Sequence, residues 1–145
     1  MAARRRGIDR AAPESAGGRL EKALLGLLAA APKPLGTYEL LPALARLEGR
    51  AVYPHQIYRA LDRLIGVDLV ERVECVSGHM LRGEQPGIIL VCTLCGIGFQ
   101  AQGADLHEAL RDLAREHGFT PGRTIVEALG RCAACAQARP NVRRP

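Results

Sequence analysis

Apolar residues recur at helical spacing through the first third of the chain. In residues 20–31, Leu20, Leu24, Leu27 and Leu28 share one face, which predicts a buried helix. Pro32 and Pro34 end it. A second helix is expected after Thr37 as N-cap, with Tyr38, Leu40, Leu41, Leu44 and Leu47 as its apolar positions and Gly49 closing it. Pro42 falls inside that run and is expected to kink or delay the helix, because proline removes a backbone donor. A third helix is predicted over 54–65. Pro54 opens it, Ile57, Leu61, Leu64 and Ile65 point inward with Ala60 beside them, and Gly66 stops it.

The period then changes. Leu69 to Val76 alternate as a strand, and Ser77-Gly78 turns the chain back through His79 to Arg82. Three helices and a β-hairpin are the layout of a winged helix-turn-helix, whose third helix enters the major groove of DNA. Further on, Gly87–Val91 and Ile97–Gln100 read as strands. Asp105 reads as the cap of a helix running to His117, with Leu106, Leu110 and Leu113 on its buried face and Gly118 at its stop. Arg123–Leu129 is the last predicted strand. The fold class expected is α+β: a winged helix-turn-helix, then a small α/β dimerisation domain. A disordered basic tail is placed at 1–18, the DNA-binding domain at 19–83, the dimerisation domain at 84–138 and a second disordered tail at 139–145. There is no internal repeat.

Composition adds a constraint. The chain has 145 residues, of which 48% are hydrophobic but only 3% aromatic. Its core must be aliphatic, and so small a core gains from a bound metal or a partner. The net charge is +5. Arginine supplies nearly all of the positive charge, since lysine occurs only at Lys22 and Lys33. Residues 1–72 carry 12 basic and 8 acidic side chains, against 8 and 7 in residues 73–145. A modestly basic first half is compatible with nucleic acid, and arginine suits phosphate. No apolar run is long enough to span a membrane. The arginines near the N-terminus have no hydrophobic segment behind them, so a secretory signal is not expected and the cytoplasm is the expected location.

The strongest chemical signal is two cysteine knuckles, Cys92-Thr93-Leu94-Cys95 and Cys132-Ala133-Ala134-Cys135. Four thiolates in two C-x-x-C pairs can close a tetrahedron around one structural zinc ion per subunit. Gly96 and Gly130 beside the knuckles suit the tight turns that aim sulfur at a metal. The same cysteines also admit a dithiol redox motif, two disulfides or four separate buried thiols. Against these stand the missing βαβ context, the odd fifth cysteine Cys75 and the knuckle spacing. A catalytic zinc needs an open position, which four cysteines close. The chain also lacks a Gly-rich phosphate loop, an H-E-x-x-H motif and a nucleophile elbow, so an enzyme is not expected.

Together these residues resemble the Fur family of bacterial metal-responsive transcription regulators. The run Tyr58-Arg59-Ala60-Leu61-Asp62 is similar to its recognition-helix signature, and the stretch from Leu69 to Glu74 to its wing. The order of helices, wing, strand, C-x-x-C, helix, strand, C-x-x-C also matches, over roughly residues 19–138. The closing stretch, through His117-Gly118-Phe119 and Ile125-Val126-Glu127 to Gly130-Arg131-Cys132, is similar to the zinc-uptake-regulator branch. The resemblance implies a homodimer on double-stranded palindromic promoter DNA, usually acting as a repressor. It places Tyr58 and Arg59 against bases or phosphate and Arg19 against the phosphate backbone. Arg63 is a neighbouring candidate from its helix position alone.

The resemblance also implies a second, sensory metal held in the zinc branch by two histidines, a cysteine and a glutamate. This chain departs from it, with Glu71, Arg82, Gln85 and Gln100 at the four positions. The expectation is that the structural zinc is kept and the sensory site is lost or rebuilt, with Arg82 pairing with Glu71 in place of the metal. Cys75, Glu74, His79 and His107 are the residues available to rebuild it. Cys75 is otherwise expected to be a buried apolar residue and His79 a surface one. The alternative functions are a thiol-zinc redox or peroxide-responsive regulator and a metal-independent DNA-binding protein.

Overall fold

The computed structural model describes residues 16–85 and 87–137. The expected tail at 139–145 lies outside the described residues, as does the expected N-terminal tail up to residue 15.

Helix α1 (Ala16–Ala30) begins ahead of the predicted Leu20. Its residues Leu20, Leu24 and Leu28 are buried, spaced so that each lies one turn above the last. Helix α2 (Thr37–Glu48) buries Leu40 and Leu44. The predicted cap is displaced by one residue. Thr37 is the first helical residue and is buried, while Gly36 is the N-cap and donates its N–H to Glu39 Oε2 at 2.9 Å. The α2 face is narrower than expected, since Tyr38 is 74% and Leu47 63% exposed. The helix runs through Pro42 to Glu48 and ends at Gly49, whose φ of 63° needs glycine's freedom.

Helix α3 (Pro54–Gly66) has proline in its first turn and buries Ile57, Ala60, Leu61 and Leu64. These residues, with Leu20, Leu24, Leu28, Leu40, Leu44, Val52 and Val70, form one aliphatic core. The hairpin follows, but it is shorter than predicted. Strand β1 (Val70–Val73) pairs antiparallel with β2 (Gly78–Leu81), with Val70 opposite Leu81 and Val73 opposite Gly78. Between them, Glu74–Val76 form a 3-10 turn, and Ser77 takes φ 49°. Residues 74–76 therefore leave the predicted strand to make the tip.

A three-stranded sheet in the order β4-β3-β5 makes the second half. Strand β3 (Gly87–Cys92) is central, antiparallel to β4 (Gly98–Gln102) and parallel to β5 (Glu127–Gly130). Strand β5 is shorter than the predicted 123–129. Helix α4 (Ala104–Glu116) connects β4 to β5, and the short α5 (Ala133–Gln137) ends the described chain. Gly103, not Asp105, is the N-cap of α4. The expected buried face of α4 is open in the single chain: Leu106, Leu110 and Leu113 are 43%, 38% and 51% exposed. His107 is the buried residue of this helix, and its Nε2 lies 3.0 Å from the Gly87 carbonyl oxygen.

Only Val73, Ile89 and Val91, with Met80 against them, form the second buried cluster. Val73 and Met80 come from the hairpin and Ile89 and Val91 from β3, so this cluster joins the two halves. Pro34, in the α1–α2 link, wedges into the same junction. A Cβ on Gly78 would stand 2.8 Å from Pro34 Cβ, and one on Gly98 2.8 Å from Pro34 Cδ. Glycine at both positions lets the link, the hairpin and β4 approach this closely.

Candidate metal centre and nucleic-acid interface

The sheet brings the knuckles together. Strands β3 and β5 run parallel, with Cys92 opposite Gly130, so each delivers its knuckle at the same end of the sheet. The long sequence gap between the pairs is the length of β4, α4 and the return to β5. The first knuckle is a tight turn: Gly96 takes φ 75° and donates its N–H to the Cys92 carbonyl at 2.9 Å. Thr93 ties it to the second, its N–H and Oγ1 both donating to the Gly130 carbonyl at 2.8 and 3.1 Å. Gly130 itself sits in β5 without positive φ, so its role is strand pairing rather than the turn expected of it.

The four sulfurs of Cys92, Cys95, Cys132 and Cys135 all lie within 4.8 Å of one another. Cys95 Sγ and Cys132 Sγ are 3.7 Å apart. A zinc–sulfur distance of about 2.3 Å gives tetrahedral sulfur–sulfur edges of roughly 3.8 Å. The donor set thus has both the chemistry and the spacing for zinc, and all five cysteines are free of disulfides. Backbone N–H groups of Cys95, Cys132 and Leu94 converge on Cys92 and pull its thiol down to about 6. Cys135 is pushed up to about 12 by the neighbouring sulfurs of Cys132 and Cys95. One thiolate therefore forms readily and another resists. A divalent cation at the centre removes that resistance, because it offsets the mutual repulsion of the four charges.

The remaining candidates do not assemble a second centre. Among the described residues, the four cysteines are the only group of three or more His, Cys, Asp or Glu side chains close enough to share an ion. Glu71 is held by Gln100, whose Nε2 donates to Glu71 Oε2 at 2.6 Å. The expected Glu71–Arg82 pair is not formed. Arg82 instead bonds Asp68 at 2.5 Å across the open end of the hairpin, where Asp68 takes φ 59°. Cys75 and His79 reverse their expected places. Cys75 is exposed at the hairpin tip, whereas His79 is buried, its backbone paired with Leu35.

The exposed face of α3 offers a different chemistry. Its inner face is filled by leucine and isoleucine, leaving Tyr58 (47% exposed) and Arg59 outside. Arg19 is exposed on α1. Arg63 is engaged within the protein, its Nε 2.5 Å from Oε1 of the buried Glu21. One exposed residue was missed in the sequence. Tyr53, at the N-cap of α3, stacks with centroids 6.0 Å apart on His55, which the sequence places at the start of the recognition helix within reach of phosphate. An aromatic just ahead of a helix-opening proline, in a chain with three tyrosines, is the signal that points to Tyr53.

No family model matches the chain. It is 31% identical over 124 residues to the zinc uptake regulation protein of Escherichia coli strain K12, covering 82% of this chain and 71% of that protein. Among solved structures it resembles a zinc uptake regulator complexed with zinc and DNA, with a TM-score of 0.75, 26% identity and 81% of each chain covered. It also resembles holo XcZur, with a TM-score of 0.71, 29% identity and coverage of 82% and 85%.

Proposed function

The chain belongs to the Fur family of metal-responsive transcription regulators and is a Zur-like, non-enzymatic regulator of zinc uptake, and from that premise we propose how it works. It acts in the cytoplasm as a homodimer on palindromic promoter DNA and represses transcription. Each subunit keeps one structural zinc on Cys92, Cys95, Cys132 and Cys135. Tyr58 and Arg59 of α3 contact base edges or phosphate, and Arg19 contacts the phosphate backbone. Arg63 contributes less, because Glu21 already engages its charge.

The observation that carries this reading is the α3 surface. One side is fully packed, while the other presents an exposed tyrosine and arginine, in a fold shared with a regulator complexed with DNA. The dimer is supported by apolar surface that the single chain does not cover. Leu90, Phe99 and Ala128 form one row of the sheet beside an open groove of about 340 Å³, and the α4 leucines are exposed as well. No helix among the described residues is long and apolar enough to cross a membrane.

The sensory metal is not retained in its ordinary form. Glu71 and Arg82 are both bonded to protein partners. The test is selection of duplex DNA from a random pool by the purified chain, followed by binding at several salt concentrations with graded zinc. A palindromic site bound with a steep salt slope is expected, because phosphate contacts release counterions. A chain that selects no duplex overturns the DNA-binding reading. A second zinc per subunit that raises DNA affinity overturns the loss of the sensor.

A further inference from the structure

Ile89 lies at the centre of one cross-strand row of the sheet. It is paired with Gln100 on the antiparallel side and with Glu127 on the parallel side. Residues in register on adjacent strands project to the same face, so this row presents polar, apolar and polar side chains in line. The hairpin receives all three. Gln100 Nε2 donates to Glu71 Oε2 at 2.6 Å, near the open end of the hairpin. Ile89 is 1% exposed and packs in one cluster with Val73 and Met80. At the tip, the N–H groups of Glu74 and Cys75 donate to Glu127 Oε1 and Oε2 at 2.8 and 2.7 Å. Both oxygens of one carboxylate thus hold the first two amides of the 3-10 turn.

We infer that Gln100, Glu71 and Glu127 are positioning residues for DNA recognition: two direct hydrogen-bonded clasps, one at each end of the hairpin, fix the wing against the zinc-bearing sheet. The inference rests on the DNA-binding reading above and adds what sets the angle of the wing relative to the sheet. A hairpin of four-residue strands has little stability of its own. Its face toward the sheet is held by one small apolar cluster, which allows sliding and rotation, whereas directional hydrogen bonds do not. The clasps involve a carboxylate on each side, so each is stronger than a neutral hydrogen bond. Strand β5 continues from Glu127 to Gly130, next to the second knuckle, so the rigidity of the metal cage reaches the wing along one strand.

A reciprocal exchange tests this in the full zinc-loaded chain, with the duplex selected by the wild-type chain as the probe. Gln100→Glu sets two carboxylates against each other, and the exchange Glu71→Gln with Gln100→Glu restores the bond with donor and acceptor reversed. Gln100→Glu is expected to weaken binding about tenfold and the double exchange to return it to within about threefold, the scale of one charge-assisted hydrogen bond. The salt slope should fall in Gln100→Glu and recover in the exchange, as phosphate contacts are lost and regained. Zinc content should stay at one per subunit throughout. Independently of DNA, Glu127→Ala should abolish hydrogen-exchange protection at the amides of Glu74 and Cys75. Wild-type binding that Gln100→Glu leaves intact overturns the inference alone, as does unchanged amide protection in Glu127→Ala. A wild-type chain that selects no duplex overturns the DNA-binding reading, and the inference with it.

Discussion

The helical half and the sheet half of this chain solve the same stability problem in opposite ways. The helical half fills its own interior, with Leu24, Leu40, Leu44 and Ile57 showing no exposure. The sheet half buries almost nothing by itself. Ile89 and Val91 are enclosed only with help from the hairpin, while Leu90, Phe99, Leu113, Phe119 and Leu129 remain 40–67% exposed. The lesson is that so small a unit with few aromatic residues leaves its stability to what its four-cysteine cluster and its uncovered apolar face can bind.

Removing the metal is the most severe challenge to that contrast. Structural zinc contributes on the order of 10 kcal/mol in small zinc domains. Chelation, or Cys132→Ser, is expected to unfold β3, β4 and β5 while α1–α3 keep their helical circular dichroism and amide protection. Sheet amides that stay protected without zinc would show that the sheet half holds itself.

Truncating one leucine in each half sharpens the comparison. Leu44→Ala leaves a cavity in a closed core and should cost about 3 kcal/mol in denaturant unfolding. Leu110→Ala, on an exposed face of α4, should cost under about 0.5 kcal/mol in the monomer but shift the monomer–dimer equilibrium seen by sedimentation. Equal losses of monomer stability from both would erase the distinction.

The two arginines of α3 divide along the same line, one facing outward and one serving the helical half. Arg59→Ala should weaken DNA binding by about 1–2 kcal/mol with no loss of stability. Arg63→Ala should mainly cost stability, about 1 kcal/mol, because Glu21 is left buried without its partner. Titrations of both variants against the same duplex decide it, and an Arg63→Ala defect as large as that of Arg59→Ala would contradict the assignment.

What the sequence disclosed follows from how local each signal is. The three helices were readable because leucine spacing and glycine or proline stops are local, and the four-cysteine cluster because C-x-x-C is local too. The hairpin tip was misread because alternation in Leu69–Val76 ignores the carboxylate of Glu127 that holds the Glu74 and Cys75 amides of the 3-10 turn. That partner lies more than fifty residues away. The Glu71–Arg82 pair failed for a related reason. Arg82 reaches Asp68 next to it at the hairpin's open end, while Glu71 faces β4. Leu106, Leu110 and Leu113 were read as a buried face, but in the single chain they stand open.

The smallest expected effect concerns His79, at the seam between the halves. Its ring is buried, and Nδ1 has no hydrogen-bond partner among the described residues. Burial lowers its pKa below the usual 6.5, reinforced by Arg72 and opposed by the Leu35 backbone, Asp62 and Glu74. The folded protein therefore prefers the neutral ring. At pH 7.5 the ring is neutral in both states, and no penalty arises. As pH falls through 6.5, the unfolded chain takes up the proton first and gains stability relative to the fold. The helical half with its hairpin should lose melting temperature between pH 7.5 and 5.5, and His79→Gln should lose less over the same range. Because the zinc thiolates also protonate in acid, the readout must be amide protection of Leu35 and Val73 rather than global unfolding. If His79→Gln shows the same pH dependence as the wild type at those amides, the seam is insensitive to this ring, and the acid response arises elsewhere, first of all in the four-cysteine half.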